Sequence, residues 1–295
     1  MDVARPRPPF DPELADVLVT LSAQLPSTIT PELIQPMRQA MASGASSKGE
    51  LVRRGLVVRD VSVPSYDGAS ITLSVVRPAR RSDAGVRPGF YYAHGGGMMF
   101  GDRLGGVGVL AEWVLRYDAV AVSVDYRLAP EYQDPTPVED CYTGLVWTRD
   151  HADELGIDPQ RLIIAGSSAG GGLAAGTALL TRDRRGPALA GQMLMYPMLD
   201  DRDQTSSAAQ IDGVGVWDRG SNRTGWSALL GDRRGGDEVS AYAAPARATD
   251  LSGLPPTFID CGSAEVFRDE DVAYAYAYAS GIWVAGGQAE LHVTP

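Results

Sequence analysis

The sequence predicts an α/β protein with a mostly parallel central sheet and helices on both of its faces. Short, almost wholly apolar runs that suit doubly covered strands alternate with stretches whose apolar residues recur at helical spacing. In addition, the apolar run Arg161–Ala165 enters a tight G-x-S-x-G turn, which is followed by small residues that can open a helix. A chain of 295 residues is long enough for one large domain of this class with insertions.

Composition narrows the classes of function. The 26 basic and 37 acidic residues give a net charge of −11, which does not favour a nucleic-acid partner. No segment approaches the ~18 continuous apolar residues of a membrane span, and the proline-rich N-terminus lacks the apolar core of a secretory signal. Cys141 and Cys261 each lie in an apolar stretch, where a buried thiol is favoured over a disulfide or a metal site. We therefore expect a cytoplasmic protein without a metal or a membrane partner.

The first part of the chain, residues 1–55, is punctuated by proline and predicts a helical cap segment. After residue 55, apolar residues alternate with polar ones on both sides of the turn Tyr66-Asp67-Gly68. This pattern predicts an antiparallel hairpin. The predicted elements of this region are helices at Pro12–Leu25 and Pro31–Met41, a loop at Ser43–Ser47, and strands at Val57–Val63 and Ile71–Val76.

The remainder, residues 56–295, predicts the main domain. Thr136, Pro137 and Glu139 suit the N-cap, N1 and N3 positions of a capping box. A polar stretch at about 200–240, with isolated Trp217 and Trp226, predicts an insertion that forms a lid or substrate wall. The other predicted elements are strands at Gly89–Ala93, Ala119–Val124, Gln192–Leu199, Pro256–Gly262 and Ala289–Thr294, and helices at Val107–Leu115, from Thr136, after Ser168 and at Ala273–Ala279.

The G-x-S-x-G turn, Gly166–Gly170, places Ser168 at its apex between a strand and a helix. A serine hydroxyl is a useful nucleophile when it is lifted clear of a strand beside a base, and a sharp turn does this by holding the serine in a strained backbone conformation. The alternative is a glycine-rich βα turn without chemistry, because a short motif of glycine and serine also arises by chance.

Three motifs stand in a fixed order along the chain: His94–Gly97, Asp125–Glu131 and Gly166–Gly171. With them the chain resembles the hormone-sensitive-lipase family of bacterial esterases, within the α/β-hydrolase fold, over about residues 56–295. It is most similar there to heroin-esterase-like, short-acyl carboxylesterases. The resemblance implies a serine carboxylesterase that needs no cofactor and hydrolyses small short-acyl esters through an acyl-enzyme.

The resemblance also implies the residues of the nucleophile and the oxyanion hole. Ser168 would attack the ester carbonyl. The N–H groups of Gly96, Gly97 and Ala169 would hold the developing oxyanion. His94 would organise the oxyanion loop and would not act as the general base.

The acid loop of the family matches residues 262–270 of this chain, with Glu265 where many members carry aspartate. Glu265 would therefore orient the base. Asp260 and Asp269 are competitors, and their positions favour roles at a strand end and a helix start. His151, within a run of charged residues, is interpreted as a solvated helix residue.

The general base is where this chain departs from the family, whose histidine follows the last strand. The sequence reaches Pro295 before such a position, so we expect a C-terminal truncation, a nearly inactive 295-residue form and an uncovered sheet face that favours a homodimer. His292 is a weak candidate because it lies inside the strand pattern. The alternative function is a non-catalytic binder of small ligands, as in the gibberellin receptors, which resemble this family and lack the working histidine.

Overall fold

Eight strands form one sheet across the middle of the molecule, in the order β1-β2-β4-β3-β5-β6-β7-β8. The computed structural model describes residues 6–44, 48–80, 85–285 and 288–295. The strands are β1 (Leu56–Pro64), β2 (Ser70–Pro78), β3 (Arg87–Ala93), β4 (Val120–Asp125), β5 (Ile157–Ser167), β6 (Gly191–Met195), β7 (Thr257–Gly262) and β8 (Ala289–Thr294).

Strand β2 pairs antiparallel with both β1 and β4, and all pairs from β4 to β8 are parallel. The predicted hairpin and the predicted mostly parallel sheet are therefore confirmed. Because parallel strands end at one edge, the loops after β3, β4, β5, β6 and β7 meet at the carboxyl edge of the sheet. The motifs of the sequence lie in these loops.

Helices cover both faces of the sheet. Alternate residues of β3 point to opposite sides, so Tyr91 and Ala93 join one apolar cluster and Phe90 and Tyr92 join the other. The helices are α1 (Pro12–Ser22), α2 (Ile34–Gly44), α3 (Lys48–Arg53), α4 (Val107–Arg116), α5 (Thr136–Asp150), α6 (Ala152–Leu155), α7 (Ala169–Asp183), α8 (Ser206–Gln210), α9 (Arg219–Leu230) and α10 (Arg268–Ala285).

Several local predictions differ from the structure, and the strand predicted at Gln192–Leu199 ends at Met195. Helix α2 continues to Gly44, so the predicted loop at Ser43–Ser47 is wrong at its start, and residues 45–47 lie outside the described residues. The predicted capping box of α5 is also wrong. Pro135 occupies the N-cap position without a side-chain hydrogen bond, and Glu139 instead accepts two hydrogen bonds from the Arg184 guanidinium at 2.8 and 2.6 Å.

The N-terminal segment is hydrogen-bonded to the stretch at 200–240. The Thr28 hydroxyl donates to Asp218 at 2.6 Å, and the Ile29 N–H donates to the Ser221 hydroxyl at 2.8 Å. The stretch itself contains α8 and α9, which the sequence analysis did not predict. Trp226, expected to wall a substrate pocket, is 0% exposed and belongs to the main apolar core, so that expectation is wrong.

An open hollow of about 510 Å³ lies on one face of the sheet, where β5 to β8 are adjacent. Strand β8 forms the sheet edge, and its residues from Glu290 onward are exposed on both faces. Among the described residues, no helix combines the length and the apolar character needed to cross a membrane.

Candidate active site

The G-x-S-x-G turn forms a sharp strand-to-helix connection. Strand β5 ends at Ser167, α7 begins at Ala169, and Ser168 between them has φ 56° and ψ −122°. A non-glycine residue with this φ is strained and persists only where the surrounding structure enforces it. Small flanking residues permit the turn, because a Cβ at Gly166 would overlap the Gly170 carbonyl. The geometry is that of a nucleophile elbow.

The backbone of Ser168 is fixed by the segment that follows β6. Its N–H donates to the Met195 carbonyl at 2.9 Å, and its carbonyl accepts from the Met198 N–H at 2.9 Å. The half-buried Ser168 hydroxyl makes no hydrogen bond to any residue that the structure describes. This hydroxyl is therefore available to a substrate or a base.

The loop after β3 lies against the elbow. A Cβ placed on Gly95 would be 3.3 Å from the Ser167 hydroxyl and 3.4 Å from the Cβ of Ser168, so the two turns are in van der Waals contact. Gly96 and Gly97 have φ values of 125° and 58°, which glycine adopts without strain. The sequence HGGG thus permits a backbone path that brings peptide groups close to Ser168.

Three backbone donors beside Ser168 have no acceptor in the described part of the chain. They are the N–H groups of Gly96 and Gly97 in the loop and of Ala169 at the first position of α7. Unpaired N–H groups at a helix N-terminus favour an anion. Together these donors can stabilise negative charge on the oxygen of a carbonyl group whose carbon is attacked by the Ser168 Oγ.

His94 is enclosed within the loop that it begins. Its side chain is 1% exposed and stacks on Tyr126 with ring centroids 4.2 Å apart. Its Nδ1–H donates to the Gly95 carbonyl at 2.8 Å, and the Tyr126 hydroxyl donates to the His94 carbonyl at 2.8 Å. Burial lowers the pKa of His94, so the ring is neutral at pH 7. These contacts suit an organiser of the loop.

Glu265 lies in the loop between β7 and α10. Its Oε1 accepts a hydrogen bond from the Gly262 N–H at 2.7 Å. Burial raises the pKa of Glu265 to about 7, although the Gly262 N–H opposes this rise. Its partner in the described structure is therefore its own loop, not an imidazole.

The two competing acids lie on either side of this loop. Asp269, in the first turn of α10, accepts from the Ser207 N–H at 2.8 Å and pairs with Arg268 at 2.8 Å. Asp260 lies within β7, and burial raises the pKa of its carboxyl. Both occupy the strand and helix-start positions that the sequence predicts.

None of the three histidines is hydrogen-bonded to Ser168 or Glu265 in the described structure. His292 lies in β8 in register with Asp260, and its Nε2 is 2.5 Å from a Glu290 oxygen. Its side chain is 51% exposed. His151 caps α5 and stacks on Trp147 at 4.2 Å. His292 is thus not positioned as the base for Ser168.

An apolar groove of about 360 Å³ leads away from this edge of the sheet. Trp217 lies between the groove and the loop after β3, because a Cβ on Gly97 would overlap its indole ring. Glu265 borders the same groove. The side chains that line it include Phe10, Leu14, Val17, Trp217 and Phe267. The residues of α1 that line it are those that recur at helical spacing in the sequence, Leu14, Val17, Leu18 and Leu21.

A family model described as alpha/beta hydrolase fold matches residues 90–295. Among curated proteins, esterase LipI of Mycobacterium tuberculosis is 31% identical over 299 residues, covering 99% of this chain and 87% of that protein. Carboxylesterase NlhH of the same species is 37% identical over 195 residues, which is 64% of this chain and 59% of that protein.

Solved structures give the same result. A bacterial heroin esterase superposes with a TM-score of 0.85 and 36% identity, covering 96% of this chain and 87% of that one. A hyperthermophilic esterase of the archaeon Pyrobaculum calidifontis superposes with a TM-score of 0.82 and 31% identity, covering 97% and 90%. The order of the motifs, the elbow geometry and these matches agree, and the chain belongs to the hormone-sensitive-lipase-like family of the α/β hydrolases.

Proposed function

We propose that this protein hydrolyses small, short-acyl carboxylic esters, with Ser168 as the nucleophile. The observation that carries the proposal is the strained backbone of Ser168 at φ 56°, between β5 and α7, beside three unpaired N–H donors. The names of the related proteins, esterase and carboxylesterase, support ester hydrolysis. They do not favour a non-catalytic ligand binder.

In the proposed reaction, the Ser168 hydroxyl oxygen attacks the ester carbonyl carbon and loses its proton to a base. The carbonyl oxygen becomes an oxyanion, which the N–H groups of Gly96, Gly97 and Ala169 stabilise. Collapse of this intermediate expels the alcohol, which takes up a proton, and leaves an acyl group on Ser168. Water then repeats the sequence and releases the acid.

Glu265 is the proposed acid, because it lies at the carboxyl edge of the sheet and borders the apolar groove that Trp217 also lines. A base is needed between it and Ser168, and no histidine of this chain makes that contact. We therefore propose that this chain hydrolyses esters at a rate supplied mainly by the oxyanion donors and by substrate binding, about 10³ to 10⁴ over water.

The groove supports the preference for small substrates. It has a volume of about 360 Å³ and is bordered by Trp217 and helix α1. A short acyl or alcohol group fits such a volume. Hydrolysis of long-chain triglyceride emulsions at the rate of p-nitrophenyl butyrate would contradict this preference.

The test is acylation of Ser168. Purified protein is incubated with p-nitrophenyl acetate, release of p-nitrophenol is followed, and the acylated residue is located by peptide mass spectrometry. We expect an acetyl group on Ser168 and loss of the signal in Ser168→Ala. Ser167→Ala is the matched control, since the Ser167 hydroxyl is engaged with that of Tyr92 at 3.0 Å. Equal signals from both variants would refute the nucleophile assignment.

A further inference from the structure

A second polar cluster lies behind the acid loop. It consists of the Cys261 thiol near the end of β7, the Glu265 carboxylate in the loop and the Asp271 carboxylate in the first turn of α10. One ligand atom from each of the three lies within 4.8 Å of the other two. Cys261 and Asp271 are buried, and Glu265 is half-buried. Three side chains from successive elements thus converge on one point.

Asp271 is the member of this cluster with no partner. Its side chain is 0% exposed, and neither carboxylate oxygen accepts a hydrogen bond from any described residue. The adjacent acids differ. Glu270 accepts from the Leu199 N–H at 2.8 Å, and Asp269 accepts from the Ser207 N–H at 2.8 Å. A buried carboxylate without compensation is strongly unfavourable, so Asp271 directs an unsatisfied pair of acceptors into the cluster.

No positive side chain of the described structure pairs with this cluster. Arg268, which opens α10, donates to Asp269 at 2.8 Å, to the Ser263 carbonyl at 2.7 Å and to Gln210 at 2.9 Å. Glu265 uses Oε1 for the Gly262 N–H and keeps its second oxygen free. Two carboxyl groups and one thiol therefore face one another without a cation.

We propose that Cys261, Glu265 and Asp271 form a binding site for Zn²⁺. A thiolate with carboxylates is a donor set that zinc accepts, whereas Mg²⁺ and Ca²⁺ prefer oxygen donors alone. Ligand atoms around a tetrahedral zinc are roughly 3.3 to 3.8 Å apart, so closure needs shifts of about 1 Å. Binding releases the protons of the thiol and of any protonated carboxyl to solvent.

The apolar groove gives the ion a route to this site. Glu265 borders both the groove and the cluster, so a cation can enter past it while Cys261 and Asp271 remain buried. Three protein ligands leave a fourth position open to water on the groove side.

Zinc at this site would occupy the free oxygen of Glu265, the oxygen with which the proposed acid would orient a base. This consequence rests on the proposed function, whereas binding of the metal does not.

The test uses binding alone. The full chain, reduced and free of chelators, is titrated with Co²⁺ as a spectroscopic substitute for Zn²⁺, and bound zinc is measured by equilibrium dialysis. We expect one zinc per chain and a thiolate-to-cobalt charge-transfer absorption in the ultraviolet. Cys261→Ser should abolish this absorption, while Cys141→Ser, which removes the other buried thiol, should leave it unchanged.

A second variant covers the case in which Cys261→Ser does not fold. Asp271→Asn keeps the side-chain volume and removes a buried charge, and we expect it to weaken zinc binding by about 100-fold or more. Failure of the native chain to bind either ion would overturn the proposal. So would cobalt binding without the thiolate absorption, or absorption that survives in Cys261→Ser.

The binding result decides the metal site whether or not the chain hydrolyses esters, so a failure of the proposed function remains distinguishable from a failure of this proposal.

Discussion

The two halves of the candidate site differ in how fully their polar groups are paired. In the nucleophile half, the backbone of Ser168 and the Nδ1 of His94 are held by hydrogen bonds. The groups without a described partner are the donors and the hydroxyl of the proposed reaction, together with the buried Nε2 of His94. In the acid half, neither carboxylate oxygen of Asp271 has a partner among the described residues. The edge strand β8 beside it is exposed.

The difference follows from how each half is built. The elbow is a strand, a turn and a helix in continuous sequence, and the adjacent loop reaches it through one parallel strand pair. Glu265 instead has the Gly262 N–H of its own loop as its described hydrogen-bond partner. The nucleophile turn is therefore held on both sides, whereas the Asp271 carboxyl group beside the acid loop has no described partner.

We expect the largest effect from a substitution in the loop after β3, which belongs to the nucleophile half. Gly96→Ala places a side chain at φ 125° and against the Phe100 carbonyl, so the loop must move and an oxyanion donor is lost. We expect kcat to fall by about 100-fold, which corresponds to roughly 3 kcal/mol of transition-state stabilisation. Gly68→Ala is the control, since Gly68 also has a positive φ but open space around it. Equal loss of kcat in the two variants would contradict the prediction.

The next effect concerns the acid half and pH. Burial raises the pKa of Glu265 from 4.5 to about 7, so the folded protein binds this proton more tightly than the unfolded chain does. Stability is therefore lost as the pH rises through this range. Glu265→Gln should raise the free energy of unfolding by about 3 kcal/mol at pH 8 and by much less at pH 4.

Urea unfolding of the native chain and of Glu265→Gln at pH 8 and at pH 4 tests the direction of this change in stability. Glu290→Gln, on the exposed strand β8, is the matched control and should change stability little at either pH. A Glu265→Gln variant that loses stability at pH 8 would show that the carboxylate has a stabilising partner.

A third prediction tests whether Ser168 lacks a positioned general base. Added imidazole should accelerate acylation of Ser168 by about tenfold, because a small diffusing base recovers part of the effect of a positioned one. Imidazole also hydrolyses activated esters in solution, so the rate with Ser168→Ala is subtracted. No acceleration above that background would mean that Ser168 already has a base or is not the nucleophile.

The smallest effect concerns the groove. Trp217→Ala should increase the octanoate-to-butyrate ratio of kcat/KM for p-nitrophenyl esters by roughly fivefold, because the indole borders the space beside the oxyanion loop. Trp226→Phe is the control variant for Trp217→Ala. Trp226 is fully buried in the core, so its change should lower Tm and leave the ratio unaltered.

The sheet, the hairpin and the elbow could be predicted because each has a strong local pattern. Strand β5 and helix α7 follow from an apolar run and small residues on either side of Ser168. The loop of Gly96 and Gly97 could be predicted from its motif, since few other sequences permit its positive φ values.

Features that depend on distant contacts could not be predicted. Glu139 suits a capping box locally, yet it pairs with Arg184 on a neighbouring helix. Trp226 lies in a polar stretch, yet it is buried in the core. Asp271 looks like an acid that stabilises the start of a helix, and nothing in its local sequence indicates that it is buried without a partner.

The backbone angle of Ser168 has a consequence for the evolution of this chain. A serine at φ 56° raises the free energy of the native state by roughly 1 kcal/mol or more, which a glycine at the same position would relieve. A library selected only for thermal resistance would therefore enrich glycine there and lose the hydroxyl. Persistence of serine at this position under drift would indicate selection for chemistry at the expense of fold stability.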